Sequence, residues 1–289
     1  MLLVMPNLRA IDGTELAYRL IGEGAPVICL PGGPMRDSAY LGDLGGLGTL
    51  LTRSQLVVLD LRGTGRSAVP ADTASYRCDR LIGDVDALAD HLGLGSFDLL
   101  GHSAGANIAV QYAATRPQRM RKLVLITPSG RAVGINRTSE ARREVVNLRR
   151  HEPWFPDAAA ALERIEADGG TEGDWRAVTP LSYGRWDAEV QAHDAAQDDQ
   201  MNEEAAEIFG ADGAFDPPAT RAALAAFSRP VLLLAGELDA ATGPRLAAEF
   251  AALFPQAKLV VQPGAGHYPW LDNANWFASA VAKFLYDGR

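Results

Sequence analysis

Phe97-Asp98-Leu99-Leu100-Gly101-His102-Ser103-Ala104-Gly105-Ala106-Asn107-Ile108-Ala109-Val110 holds a strand, a sharp turn and the start of a helix in fourteen residues. Phe97 to Leu100 is a short apolar run of strand type, and Ala104 to Ala114 carries helical composition. Between them stands Gly101-His102-Ser103-Ala104-Gly105, a G-x-S-x-G turn. In this strand–turn–helix context the pattern lifts a serine hydroxyl above the end of a sheet. The turn strains the backbone at the serine. The flanking glycines let strand and helix approach closely.

The alternation continues on both sides of this turn. Thr14 to Leu20, Pro26 to Leu30, Gln55 to Asp60 and Leu123 to Ile126 are predicted strands, and Asp79 to Leu92 is a predicted helix with Asp79 as its N-cap. After residue 228 the pattern resumes. Strands are expected at Val231 to Ala235 and Ala257 to Gln262, and helices at Pro244 to Leu253 and Asn275 to Leu285. Short apolar strands alternating with helices imply an α/β fold whose sheet is mostly parallel and covered by helices on both faces.

The middle differs. Residues 129–228 read as several helices punctuated at Pro153, Pro156, Gly169-Gly170, Pro180 and Pro217-Pro218, with no strand. They hold 19 acidic and 10 basic residues, against 17 of each in the remainder, so this segment carries the whole net charge of −9. The expected organisation is a core of 1–128 and 229–289 with an inserted helical cap at 129–228.

A serine hydroxyl needs a base to become a nucleophile. Of the five histidines, His267 stands out. It lies in Gly264-Ala265-Gly266-His267-Tyr268-Pro269-Trp270, just past a predicted strand, where open α/β sheets place their sites. His102, the variable position of the turn, reads as structural. Asp239, in Ala235-Gly236-Glu237-Leu238-Asp239, follows the strand VLLL and precedes the histidine, as the third member of a Ser–His–acid triad should. Glu237 is its rival. An oxyanion site needs two amides. One is expected from Ala104, just after the serine. The other is expected from Gly33 in Pro31-Gly32-Gly33-Pro34, because the prolines have no N–H.

Other chemistries are excluded or weak. Gly63-Thr64-Gly65-Arg66-Ser67-Ala68 matches the loose G-x-G-x-x-A dinucleotide pattern, but Val69-Pro70 follows where a helix should open. No Walker loop or H-E-x-x-H motif occurs, so no cofactor and no metal are expected. Cys29 and Cys78 suit unpaired structural thiols. The acidic balance argues against nucleic acid as partner. No run approaches the roughly 20 apolar residues of a membrane span. Met1 to Met5 is apolar but lacks a basic start and is followed by Pro6, so a cytoplasmic protein with no membrane partner is expected.

Taken together these residues resemble the α/β-hydrolase superfamily, and within it the proline-iminopeptidase-like branch. Pro31-Gly32-Gly33-Pro34 is similar to that branch's His-Gly-Gly-Pro-Gly oxyanion motif, and Asp60-Leu61-Arg62-Gly63-Thr64-Gly65-Arg66-Ser67 to its Asp-Gln-Arg-Gly-x-Gly-x-Ser segment. Trp186-Asp187 resembles the cap's Trp-Glu pair, whose carboxylate binds a substrate's free α-amine. The chain departs from the pattern at Pro31, Met35, Ala104 and Asp187. The resemblance implies an α/β-hydrolase fold with a helical cap and an aminopeptidase acting on a small-molecule or short-peptide substrate. A carboxylesterase is the alternative, and a non-catalytic hydrolase-like binding protein is a further one. From Asp187 to Asp216 there are ten acids and no Lys or Arg, which suits either a cationic substrate or a solvated helix face. Trp154, Trp175 and Trp186 suit either a pocket lining or the packing of the cap on itself. Nothing in the sequence sets the oligomeric state.

Overall fold

The computed structural model describes residues 6–51 and 53–287. The apolar run Met1 to Met5 lies outside the described residues. Eight strands form one sheet: β1 (Asn7–Arg9), β2 (Glu15–Gly22), β3 (Ala25–Leu30), β4 (Ser54–Leu59), β5 (Phe97–His102), β6 (Met120–Ile126), β7 (Val231–Gly236) and β8 (Ala257–Gln262). Their order is β1-β2-β4-β3-β5-β6-β7-β8. β2 pairs antiparallel with β1 and β4, and the strands from β4 to β8 run parallel.

The side-chain period of two splits each parallel strand between two cores. Ile28, Leu30, Leu99, Leu123, Leu125 and Leu233 face one cluster, with the helices Cys78–His91 and Gly105–Thr115. Val27, Cys29, Leu100, Val124, Ile126 and Leu234 face the other, with the helix Ala274–Tyr286. Every residue of β5 and β7 is buried, which is why these strands read as unbroken apolar runs rather than alternations. Both cysteines are buried and free.

Residues 129–228 contribute helices and turns and no named strand among the described residues. Val146, Ala158, Ala161, Leu162, Val178 and Leu181 form a small core with Ala240, while Ala132, Val133, Ile135, Ala205, Phe209, Ala214, Leu224 and Phe227 join the first main cluster and Tyr183 and Val190 the second. No helix among the described residues is long and apolar enough to cross a membrane.

Three local expectations change. The helix predicted from Asp79 begins at Cys78, with Arg77 in the cap position, so Asp79 is not the N-cap. Asp79 lies in the first turn, where its charge favours the helix dipole, and it pairs with Arg77 at 2.9 Å. Pro156, Pro180 and Pro217 start helical turns rather than break them, because a helix's first residues have no intrahelical use for their N–H groups. β1 was not predicted. Only Leu8 of its three residues is buried, so no periodicity marks it, and its pairing with β2 creates it.

Candidate active site

The parallel strands bring five loops to one edge of the sheet. The ends of β3, β5, β6, β7 and β8 lead into Gly32, Ser103, Thr127, Asp239 and His267. Ser103 takes φ 51°, the left-handed region that a residue with a side chain enters only under strain. Close contacts on both sides hold it there. A Cβ on Gly105 would stand 2.4 Å from the Pro31 carbonyl oxygen, and one on Gly32 would stand 2.8 Å from the Ser103 Cβ. The glycines of the turn and of the β3 loop are thus the reason these two loops can touch.

His267 Nε2 lies 2.8 Å from Ser103 Oγ, and His267 Nδ1 lies 2.9 Å from Asp239 Oδ2. The structure therefore brings together all three residues singled out from sequence. Asp239 is fully buried and also accepts from the Ala241 amide at 2.8 Å, the Thr242 amide at 3.2 Å and the Thr242 hydroxyl at 2.5 Å. Burial by itself would raise its pKa. The charge and N–H of His267 and the donors of residues 241 and 242 outweigh burial and hold the carboxyl below the usual range. An ionised Asp239 fixes the Nδ1–H tautomer and leaves Nε2 free to accept the serine proton. Glu237 does not compete: it is exposed and accepts from the Gly264 amide at 2.8 Å.

His102 has a structural task more specific than its sequence position suggested. Its Nε2 donates to the His267 carbonyl at 3.0 Å, and its Nδ1 accepts from the Tyr40 hydroxyl at 2.6 Å. That hydroxyl in turn accepts from the Gly32 amide at 2.6 Å. Burial first, and the neighbouring His267 second, push the His102 pKa far down, so the ring is neutral and can both donate and accept. One buried chain thus ties the β3 loop, the serine turn and the histidine loop together. The Thr127 hydroxyl adds a second bond to the His267 carbonyl at 2.9 Å. The cap segment holds the same residue from the other side, the Ser182 carbonyl accepting from the His267 amide at 2.7 Å. Sequence reasoning missed Tyr40, for which no local signal exists. It also missed Thr242, which an Asp-x-x-Thr turn pattern could have flagged.

The Gly32 amide is spent on Tyr40, which leaves the Gly33 amide as the free donor of that loop. Neither the Gly33 nor the Ala104 amide donates elsewhere among the described residues.

Trp186 and Asp187 are not brought to this site. Asp187 is an exposed N-cap of the helix Ala188–Ala195, where it accepts from the Val190 amide at 3.1 Å and pairs with Arg185. Trp186 packs against Tyr183, ring centroids 5.5 Å apart. Neither lines the cavity of about 610 Å³ bounded by Ala240, Ala241, Tyr268 and residues 137–198. The run of acids has the same explanation. Asp187 and Asp216 cap helices, and Glu189, Asp198, Asp199, Glu203 and Glu204 lie in first turns, where helix dipoles favour negative charge. Of the three tryptophans, Trp175 lines that cavity, while Trp154 packs into the cap core.

The cavity lies against Ala240, Ala241 and Tyr268, the immediate neighbours of Asp239 and His267. Its cap wall is formed by Arg137, Arg142 and Asp194 among others. The dinucleotide-like turn after β4 is filled by protein. A Cβ on Gly63 would meet the Tyr76 hydroxyl at 2.4 Å, and one on Gly65 would meet the Asp60 carboxylate at 2.5 Å. No group of three or more metal-ligating side chains occurs among the described residues.

A family model of the α/β hydrolase fold matches residues 25–274, from β3 to the last helix. The chain belongs to the α/β hydrolase fold family. Among the relatives of this α/β hydrolase, a proline iminopeptidase of Heyndrickxia coagulans is 24% identical over 275 residues, which cover 91% of each chain. An N-formylmaleamate deformylase of Pseudomonas putida is 32% identical over 229 residues, covering 79% of this chain and 77% of the relative. The fold is shared with a proline iminopeptidase of Mycobacterium smegmatis (TM-score 0.77, 22% identity, 98% of each chain covered). It is shared as well with an esterase from Exiguobacterium antarcticum (TM-score 0.73, 19% identity, 98% and 99% covered).

Proposed function

We propose that this α/β hydrolase is a serine hydrolase that cleaves an amide or ester bond of a small molecule or short peptide through an acyl-enzyme. The unbroken hydrogen-bond chain from Ser103 through His267 to buried Asp239 carries this reading. Ser103 Oγ attacks the carbonyl carbon as His267 Nε2 takes its proton. The amides of Gly33 and Ala104 receive the oxyanion of the tetrahedral intermediate. His267 then gives the proton to the leaving amine or alcohol, and the acyl group remains on Ser103. Water, deprotonated by the same imidazole, attacks the acyl-enzyme and releases the acid.

Within this class the aminopeptidase reading rests on the resemblances of residues 31–34 and 60–67, on the acidic run 187–216 and on the Asp187 carboxylate as the amine's partner. With that group committed to a helix cap and to Arg185, the amine of a peptide substrate has no partner there. A small-molecule amidase or esterase is the reading the geometry favours. Relatives named for peptidase and deformylase activity and fold neighbours named as esterases are all compatible with it.

A fluorophosphonate probe tests the class. The purified protein is expected to be labelled, and Ser103→Ala to be silent. A wild-type protein that resists labelling would favour a binding protein instead. Turnover of prolyl arylamides against aryl esters then separates the two subclasses, with the esters expected to be the better substrates.

A further inference from the structure

Arg137 and Arg142 stand out in the cavity bounded by Ala240, Ala241 and Tyr268 because no carboxylate is bonded to them. The side chain of Arg142, in the helix Ser139–Asn147, makes no hydrogen bond and no ion pair among the described residues, and its Nε is buried without a partner. Arg137 Nη1 donates to the carbonyls of Ala240 and Ala241, at 2.8 and 3.2 Å. Both line the cavity of about 610 Å³ and a smaller one of about 310 Å³ that reaches Asp239. They thus stand where the two spaces meet, next to the proposed catalytic acid.

No carboxylate is bonded to either, although the charges of Asp239 and Glu166 act on Arg137 and that of Glu166 on Arg142. Glu172 is paired with Arg176, and Asp194 accepts from the Tyr183 hydroxyl at 3.1 Å. Asp198 lines the cavity but forms no ion pair with either guanidinium. A half-buried guanidinium with an orphaned N–H is costly unless something arrives to pair with it. The planar fork of arginine matches a carboxylate bidentately, and two forks side by side make a site for one anionic group.

We propose that Arg137 and Arg142 form a carboxylate-binding subsite, so that the substrate of this hydrolase carries a carboxylate near the bond to be cleaved. The proposal rests on the serine-hydrolase reading for its substrate, but the binding of an anion can be read without turnover.

Two measurements test it. The first compares 4-nitrophenyl hemiglutarate with the neutral 4-nitrophenyl pentanoate, and 4-acetoxybenzoate with phenyl acetate, so that the charge sits on the acyl side in one pair and the leaving side in the other. In at least one pair kcat/KM for the charged ester is expected to exceed that for the neutral one by about tenfold or more. The ratio should collapse toward one in the Arg137→Gln/Arg142→Gln protein and recover in part in Arg142→Lys. The second measurement is calorimetric titration with glutarate. Wild type and Ser103→Ala are expected to bind it alike, and the double Gln variant not to bind. Arg142 lacks partners to lose, so its replacement is not expected to unfold the protein, which a thermal melt checks. Equal turnover of charged and neutral esters overturns the subsite. So does the absence of glutarate binding to wild type, or glutarate binding that survives the double substitution. Glutarate binding without turnover of any ester overturns the hydrolase reading and leaves the subsite standing.

Discussion

At the scale of single residues, the working unit is Asp239, and its environment sets its behaviour. It lies with no exposed surface among four donors. Asp239→Asn keeps the size but offers an N–H₂ to His267 Nδ1 and selects the wrong tautomer. The expected loss in kcat is about 10³–10⁴-fold in ester hydrolysis. Glu237→Gln, which removes a charge from an exposed residue bonded to Gly264, is expected to leave kcat within about twofold. Asp239 also links pH to stability. Its folded pKa is depressed, so its ionised form stabilises the fold above the usual carboxylate pKa of about 3.9, and that contribution is lost as pH falls through this value toward the folded pKa. Urea midpoints measured from pH 7 to pH 3 should therefore show the gap between wild type and Asp239→Asn narrowing on the acid side.

At the scale of elements, loops at the ends of parallel strands hold the site, and hydrogen bonds hold the loops. Tyr40 joins the β3 loop to His102, and His102 joins the serine turn to His267. Tyr40→Phe preserves the packing and removes both bonds. It is expected to lower kcat roughly tenfold to hundredfold with KM little changed, because misplacement of reacting groups costs rate before it costs binding. Asp187 belongs to an element in another sense. As the N-cap of Ala188–Ala195 it is expected to matter for that helix and not for substrate. Asp187→Ala should speed hydrogen exchange at Val190 several-fold and leave KM unmoved, including for aminoacyl substrates.

At the scale of the molecule, Arg62 locks the turn after β4 to distant parts of the chain. It is 4% exposed, forks onto the fully buried Asp84 of the helix Cys78–His91 at 2.5 and 2.9 Å, and reaches Asp12 ahead of β2 at 2.6 Å. The Gly-x-Gly segment after β4 thus serves as a structural junction and not as a nucleotide loop. Arg62→Ala leaves a buried carboxylate without a partner and is expected to cost about 3–5 kcal/mol in urea denaturation. The pair Arg62→Met/Asp84→Leu, which removes both charges together, should recover most of that loss.

The pattern of apolar runs, glycine turns and loop residues was enough to specify seven of the eight strands, the serine turn and the three residues that meet there. All of these depend on local chemistry: burial of a strand on both faces, close approach at a glycine, and the order of groups at strand ends. The cap was legible only as helical. Whether a carboxylate such as Asp187 caps a helix or faces a ligand depends on which way its helix enters, and that is decided by packing between segments far apart in sequence. The same holds for Tyr40, for the exact start of the helix at Cys78 and for the guanidiniums of Arg137 and Arg142, to which no carboxylate is bonded. Charge compensation is a property of three-dimensional neighbours, and in the sequence an unpaired arginine looks the same as a paired one.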